Sequence, residues 1–318
     1  MHFFKLIRPL NLAIIAVSMY GIAWYFEGVF EIEASLGINS FLFFLLVFST
    51  VMIAAAGNII NDYFDIKADL INKPERVVIG KHVKRRVAIL SHWLINFIAF
   101  SIAVYLSWKL QTYWYLFIHL LTINLLWYYS LRLKREFFIG NLLIAGLTAL
   151  VPLLVGYYYF HIREINPPDT LESNFYPFSD GSISNYSLLL TFAISGFAFV
   201  MNLAREIIKD MEDVEGDKTL RAKTVPIVLG ITKTKWIAGI FLFLTIIISA
   251  SIWIAYESIP IHSMIPVFIS ALFILLCFIL LVISSTKAHY RTINHLIKFA
   301  MIFGMLTPVY WRLIMIYG

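Results

Sequence analysis

Charge is scarce in this chain. Of its 318 residues only 14% are Asp, Glu, Lys or Arg, against 60% hydrophobic. A soluble domain carries roughly 25% charged residues, so the polar surface needed to cover a water-soluble globule is missing. Cysteine is nearly absent: Cys277 stands alone in an apolar run, and no intrachain disulfide can form. The eight histidines make no His-Glu-x-x-His or His-x-x-x-His pair, which argues against zinc. An EF-hand loop fails as well, because Met211 takes the first ligand position when Gly216 is set at the turn. No small-residue cleavage site follows the first apolar run, so that run is expected to stay as a helix rather than leave as a signal peptide.

Long apolar runs fill the space that charge leaves. They are continuous rather than alternating, and in lipid a continuous run satisfies its backbone as a helix. The expected fold is therefore all-α: a polytopic membrane protein of about nine transmembrane helices around a central cavity. The spans are expected near 10–27, 39–57, 87–107, 112–131, 138–160, 186–205, 236–256, 264–285 and 296–317, forming a single membrane domain over 1–318. Prolines 167, 168 and 177 with Gly181 mark 161–185 as an external loop. With the N-terminus in the cytoplasm and loops assigned alternately, only Lys109, Arg163 and Arg312 of the 25 Lys and Arg fall outside. That asymmetry obeys the positive-inside rule. It predicts a protein of the cell membrane whose N-terminus and site loops face the cytoplasm. The cations of this +6 chain cluster beside helix ends, so nucleic acid is not expected as a partner.

The acids are concentrated in two inner segments. The first runs Asn58-Ile-Ile-Asn61-Asp62-Tyr-Phe-Asp65-Ile-Lys-Ala-Asp69, the second Glu206-Ile-Ile-Lys209-Asp210-Met-Glu-Asp213-Val-Glu-Gly-Asp217. Aligned on Asn58 and Glu206, their polar positions coincide at steps of 4, 3 and 4. At about 100° per residue these fall within an arc of roughly 60° on a helix. Each segment thus carries one acidic stripe at the inner end of a helix, the second and the sixth. The two stripes mark a weak parallel repeat of two halves, about 1–135 and 136–285, with a last helix at 296–317. A lone acidic run beside a helix end usually reads as a solvated face. Two in the same register, on the same side, read as a site.

Like charges at these spacings repel. The stripe makes sense around a hard divalent cation, and Mg²⁺ (or Mn²⁺) bridges carboxylates to substrate phosphates. Lys73, Arg76, Lys134, Arg205 and Lys209 lie close by in sequence to grip a diphosphate. Glu212 and Glu215 fall off the stripe by helical spacing, so altering either is expected to be mild. Lys134 follows Tyr128-Tyr129-Ser130 and reads equally as an interfacial anchor. Asn11, just inside the first helix, reads as an interhelical hydrogen-bond residue as readily as a ligand.

At these residues the chain resembles the UbiA-type superfamily of intramembrane prenyltransferases. Asn61, Asp62, Asp65 and Asp69 match its first motif, and Asp210, Asp213 and Asp217 its second. Tyr129, Ser130, Leu133 and Lys134 resemble the stretch after the fourth helix, and Arg8-Pro9-x-Asn11 the start. The resemblance implies an enzyme that ionises an allylic prenyl diphosphate with Mg²⁺ and alkylates an acceptor. It assigns the metal to Asn61, Asp62, Asp65, Asp69, Asp210, Asp213 and Asp217, with Asp65, Asp69, Asp213 and Asp217 central to catalysis. Arg76 and Lys134 would contact the diphosphate, with Asn11, Asn58, Lys73, Tyr129, Arg205 and Lys209 as further substrate contacts. The motif wording is most similar to digeranylgeranylglyceryl phosphate synthases, which implies geranylgeranyl transfer to a prenylated glycerol phosphate within membrane lipid. An aromatic acceptor such as 4-hydroxybenzoate or a naphthoate is the runner-up; a transporter and a lipid-diphosphate phosphatase are the other classes. One departure stands out. Val77-Val78-Ile79-Gly80 follows Arg76 where the family has Arg-Pro-x-x-Ser-Gly, so this loop is expected to fold differently.

Overall fold

A computed structural model describes residues 2–30, 32–33, 35–165, 183–255 and 261–317. Most of the loop read at 161–185 lies outside the described residues. The chain is helical throughout: α1 (His2–Ile7), α2 (Pro9–Phe30), α3 (Phe41–Asn72), α4 (Arg85–Lys109), α5 (Trp114–Leu131), α6 (Ile139–Ile165), α7 (Ile183–Thr219), α8 (Val225–Leu229), α9 (Ile231–Ala255), α10 (Ile265–Ile283) and α11 (Lys287–Tyr317). Among the described residues the only β feature is an isolated bridge between Ile79 and Val83.

Among the described residues eight helices are long and apolar enough to cross a membrane. The expected ninth span, 112–131, is present as α5 but is not one of the eight. It has only 18 residues, and His119 and Asn124 dilute its apolar character. His119 is buried, with Nε2 2.8 Å from Ser49 Oγ and Nδ1 2.8 Å from the Tyr115 carbonyl. The protein is an integral membrane protein. Trp93, Phe97, Phe243, Leu272 and Val282 are exposed on the described surface, as lipid-facing side chains are. α3 and α7 run well past the ends expected for their spans, and the overhang is the acidic stripe itself.

Proline sets several boundaries. Pro9, Pro226 and Pro266 sit in the first turns of α2, α8 and α10, where a missing N–H is harmless. Pro9 also disfavours helical geometry at Arg8. α1 therefore breaks at Ile7, and Arg8 takes a left-handed φ of 54°.

The chain divides into two compact units. The first comprises Met1–Ala16, Phe41–Leu143 and Asp213–Gly230. Here α3 packs on α4 and α5, and Gly57 lets Leu126 approach so closely that an added Cβ would meet it at 3.0 Å. The departing loop is a hydrophobic peg. Val78 and Ile79 are buried with Leu6 of α1, Ile59 of α3 and Ala88 of α4. Its turn closes by bonds from His82 and Val83 N–H to the Val78 carbonyl and from Gly80 N–H to Val83, with Gly80 at φ 91°. Apolar side chains that reach a core explain why valine and isoleucine serve here.

The second unit comprises Val17–Ser40, Ile144–Glu212 and Ile231–Gly318. Rings join its helices: Tyr25 meets Trp311 at 5.9 Å and Phe26 meets Tyr159 at 6.0 Å. Asn202 of α7 donates to Thr148 Oγ1 of α6 at 2.8 Å, a polar tie of the kind that joins helices in lipid.

Candidate active site

Helical periodicity places Asp62, Asp65 and Asp69 on one face of the final turns of α3. The first unit surrounds them with cations from distant parts of the chain. Arg8, in the break between α1 and α2, reaches Asp62 Oδ1 at 2.5 Å. Lys134, in the short 3₁₀ turn Leu133–Arg135 after α5, pairs with Asp65. Asp65 is only 4% exposed, and its Oδ2 also accepts from Asn61 Nδ2 at 2.8 Å. Lys73, immediately after α3, lies 2.8 Å and 3.1 Å from the two carboxylate oxygens of Asp213. The charges of Asp65, Asp62 and Asp213 all act on Asp69, so these four carboxylates share one electrostatic neighbourhood.

Protonation follows from the pairing. Burial works to strip the proton from Lys134, but Asp65 and Asp69 outweigh it and hold the ammonium above the ordinary lysine range. Burial likewise opposes charge on Arg8, and Asp62 more than restores it. Both side chains are fixed cations at any working pH.

The remaining residues divide by unit. In the first, Tyr129 is buried one turn before Lys134, Asn11 is half-buried in the first turn of α2, and Asp217 is half-buried near the end of α7. Asn58 donates Nδ2 to the Ile7 carbonyl at 3.0 Å, tying α1 to α3. Arg76 ends the 3₁₀ turn Pro74–Arg76, and its side chain lies outside the described residues. In the second unit, Asp210 is half-buried on α7. Arg205 and Lys209 both turn to Glu206, at 2.6 Å and 3.3 Å. Glu206 is 5% exposed, so it tempers both charges. Glu212, off the stripe by helical spacing, is 7% exposed and accepts from Arg291 Nε and Asn294 Nδ2 of α11, each at 3.2 Å.

The donor set of the first unit is uniformly hard: carboxylate and amide oxygens, without sulfur or imidazole. That chemistry suits Mg²⁺ or Mn²⁺ and not a soft metal. Among the described residues no three acidic, His or Cys side chains gather at one point, because Asp62, Asp65 and Asp213 each face a cation. Sequence reading passed over Arg8 as a site residue, although it stands in the Arg-Pro-x-Asn stretch. It also passed over Asn72 and Gly216. Nothing local marks them, since their partners lie 141 and 144 residues away.

The model of the UbiA prenyltransferase family matches residues 14–307. The chain belongs to that family. A relative from Pyrococcus horikoshii, named digeranylgeranylglyceryl phosphate synthase, is 33% identical over 253 residues, covering 78% of this chain and 76% of the relative. One of the same name from Thermococcus gammatolerans is 34% identical over 225 residues, 70% of each chain. Among solved structures, one described as bearing on the biosynthesis of digeranylgeranylglyceryl phosphate synthase in membranes superposes with a TM-score of 0.64 at 23% identity, covering 97% of this chain and 96% of that one. A UbiA homolog from Archaeoglobus fulgidus bound to GPP and Mg²⁺ gives 0.57 at 15% identity, covering 96% and 99%. These solved structures carry the fold. As a member of the family, this protein is a prenyltransferase of the membrane.

Proposed function

We propose that this UbiA-family enzyme transfers a geranylgeranyl group from its diphosphate to the hydroxyl of a prenylated glycerol phosphate, with Mg²⁺ as cofactor. The observation that carries this reading is the charge arrangement of the first unit, where hard carboxylates and fixed cations stand side by side. The names of the archaeal relatives supply the prenyl group and the acceptor. Asn61, Asp62, Asp65, Asp69, Asp213 and Asp217, all of the first unit, would hold the metal. Bound there, Mg²⁺ (or Mn²⁺) neutralises the diphosphate so that it can approach the carboxylates.

The cations do the rest. Loss of diphosphate from the allylic carbon concentrates negative charge on the departing oxygens. Lys134, permanently charged and paired with Asp65, would meet it, and Lys73 and Arg8, paired with Asp213 and Asp62, add positive charge to the same unit. Asn61 orients Asp65 through its 2.8 Å bond. Tyr129 backs Lys134. Asn58, bonded to the Ile7 carbonyl, holds α1 against α3 beside the acidic end of α3. The site faces the cytoplasm, as the Lys and Arg bias of the inner loops requires.

Purified protein incubated with Mg²⁺, labelled prenyl diphosphates of several lengths and a panel of glycerol-phosphate and aromatic acceptors should yield a prenylated ether lipid by mass spectrometry. Prenylation of the aromatic acceptors alone would overturn the acceptor assignment. Release of free prenol and diphosphate alone would make the protein a phosphatase. For orientation, Glu75→Cys in a Cys277→Ala background should react with an impermeant thiol reagent only once the inner face is opened. Labelling of intact cells would reverse the topology.

A further inference from the structure

We infer that Asn72 is a positioning residue: its carboxamide fixes Asp213, and with it the carboxylate set, for the transfer proposed above, on whose reading this inference rests. A carboxamide both donates and accepts, and Asn72 uses both capacities on one turn of α7. Its Nδ2 donates to the Asp213 carbonyl at 3.1 Å, and its Oδ1 accepts from the Gly216 N–H at 3.0 Å. The two gripped groups lie three residues apart, so the contact sets the height and the rotation of that turn together. Rotation matters because Asp213 and Asp217 share a stripe only while the turn keeps its phase.

Asn72 is well placed for this work. It lies one turn beyond Asp69, as the last residue of α3, and is 8% exposed. The next residue, Lys73, holds the Asp213 carboxylate at 2.8 Å and 3.1 Å. Asp213 is therefore held twice from one point of α3, by its main chain and by its side chain. Gly216 completes the fit. A Cβ there would stand 2.3 Å from Asn72 Nδ2 and 2.8 Å from its Cγ, closer than side-chain carbons come. The grip thus needs an asparagine on one side and no side chain on the other. Asn72 acts through Asp213 and is not itself a ligand.

The test uses the full chain in detergent and Mn²⁺ as an EPR-visible probe, titrated with an unreactive thiolo analogue of geranylgeranyl diphosphate. Asn72→Ala and Gly216→Ala damage the grip from opposite sides. Asn72→Asp keeps the volume and the acceptor but loses the donor, and serves if either of the others fails to fold. Each folded variant should raise the Mn²⁺ midpoint by about tenfold or more, the scale seen when groups that orient metal ligands are lost. The KM for the acceptor should hold, and adding Asp213→Asn to Asn72→Ala should cost little more. Glu215→Gln, exposed on the same turn, should leave the midpoint alone. A folded Asn72 variant with the wild-type midpoint overturns the inference, as does an equal shift in Glu215→Gln. Wild-type protein that binds no Mn²⁺ overturns the functional reading instead, and this inference with it.

Discussion

The two acidic stripes share one spacing and live in different surroundings. On α3 the positions between the acids are apolar or outward, and Ile59 and Ile60 are fully buried. Two of its carboxylates find a counter-charge elsewhere in the chain: Arg8 lies 54 residues before Asp62, and Lys134 lies 69 after Asp65. On α7 one stripe position, Glu206, and one neighbour, Glu212, are buried glutamates with partners of their own. Glu206 binds Arg205 and Lys209, while Glu212 ties α7 to α11. The first stripe is a set of carboxylates served by cations. The second lies among glutamates that serve as moorings. A repeated spacing therefore preserves which face is acidic but not what each acid does, because the partner is chosen through space.

Four experiments would break or sharpen that contrast. Chelation should have the largest effect. Without Mg²⁺ the clustered carboxylates would repel the diphosphate, so transfer should vanish with EDTA and return when Mg²⁺ is restored. Full turnover after rigorous chelation would end the metal reading for both stripes.

Asp65→Asn should come next, with turnover falling by about 10²-fold or more, the scale of one lost transition-state electrostatic contact. Simple relief of like-charge repulsion would leave such a variant steadier. The structure reverses that expectation, because Asp65 neutralises Lys134 and removal of one partner strands the other. A loss of about 1–3 kcal/mol should appear in detergent melting. Asp65→Asn with Lys134→Met should recover the stability and not the turnover. Recovery of both would reduce the first stripe to a structural pair.

Glu212→Gln tests the mooring. It removes the charge that binds Arg291 and Asn294 in a buried place, so melting should show about 1–2 kcal/mol lost, with the KM for prenyl diphosphate little changed. Glu215→Gln should be the smallest effect, within about 0.5 kcal/mol and without change in turnover, since Glu215 is exposed. If the two glutamates behave alike, the buried mooring on α7 is wrong.

Much of this was legible before any coordinate. Each apolar run became a helix, because a run in lipid has to satisfy its own backbone, though α3, α7 and α11 extend well beyond their expected limits. The stripes were legible for the same reason, as a 3.6-residue period is a local property. α5 was harder: His119 and Asn124 bond carbonyls of their own helix, but the other partner of His119, Ser49 of α3, lies 70 residues away and is not written in the run itself. The peg at Val77–Ile79 looked like a departure without a purpose. Its purpose is a contact with Leu6 and Ile59, which only packing creates.

The sequence by itself determined that the protein lies in a membrane, which helix faces are acidic and which family it belongs to. Composition, period and motif are all read along the chain, so no contact was needed. Only the tertiary structure decided the pairing: Arg8 with Asp62, Lys134 with Asp65, Lys73 and Asn72 with Asp213, and Gly216 left bare to admit Asn72. It also decided that Glu212 is an anchor, bound to Arg291 and Asn294 of α11. Coulomb attraction and steric exclusion act over a few ångströms of space. Residues 54 to 144 positions apart come within that range only when the helices have packed.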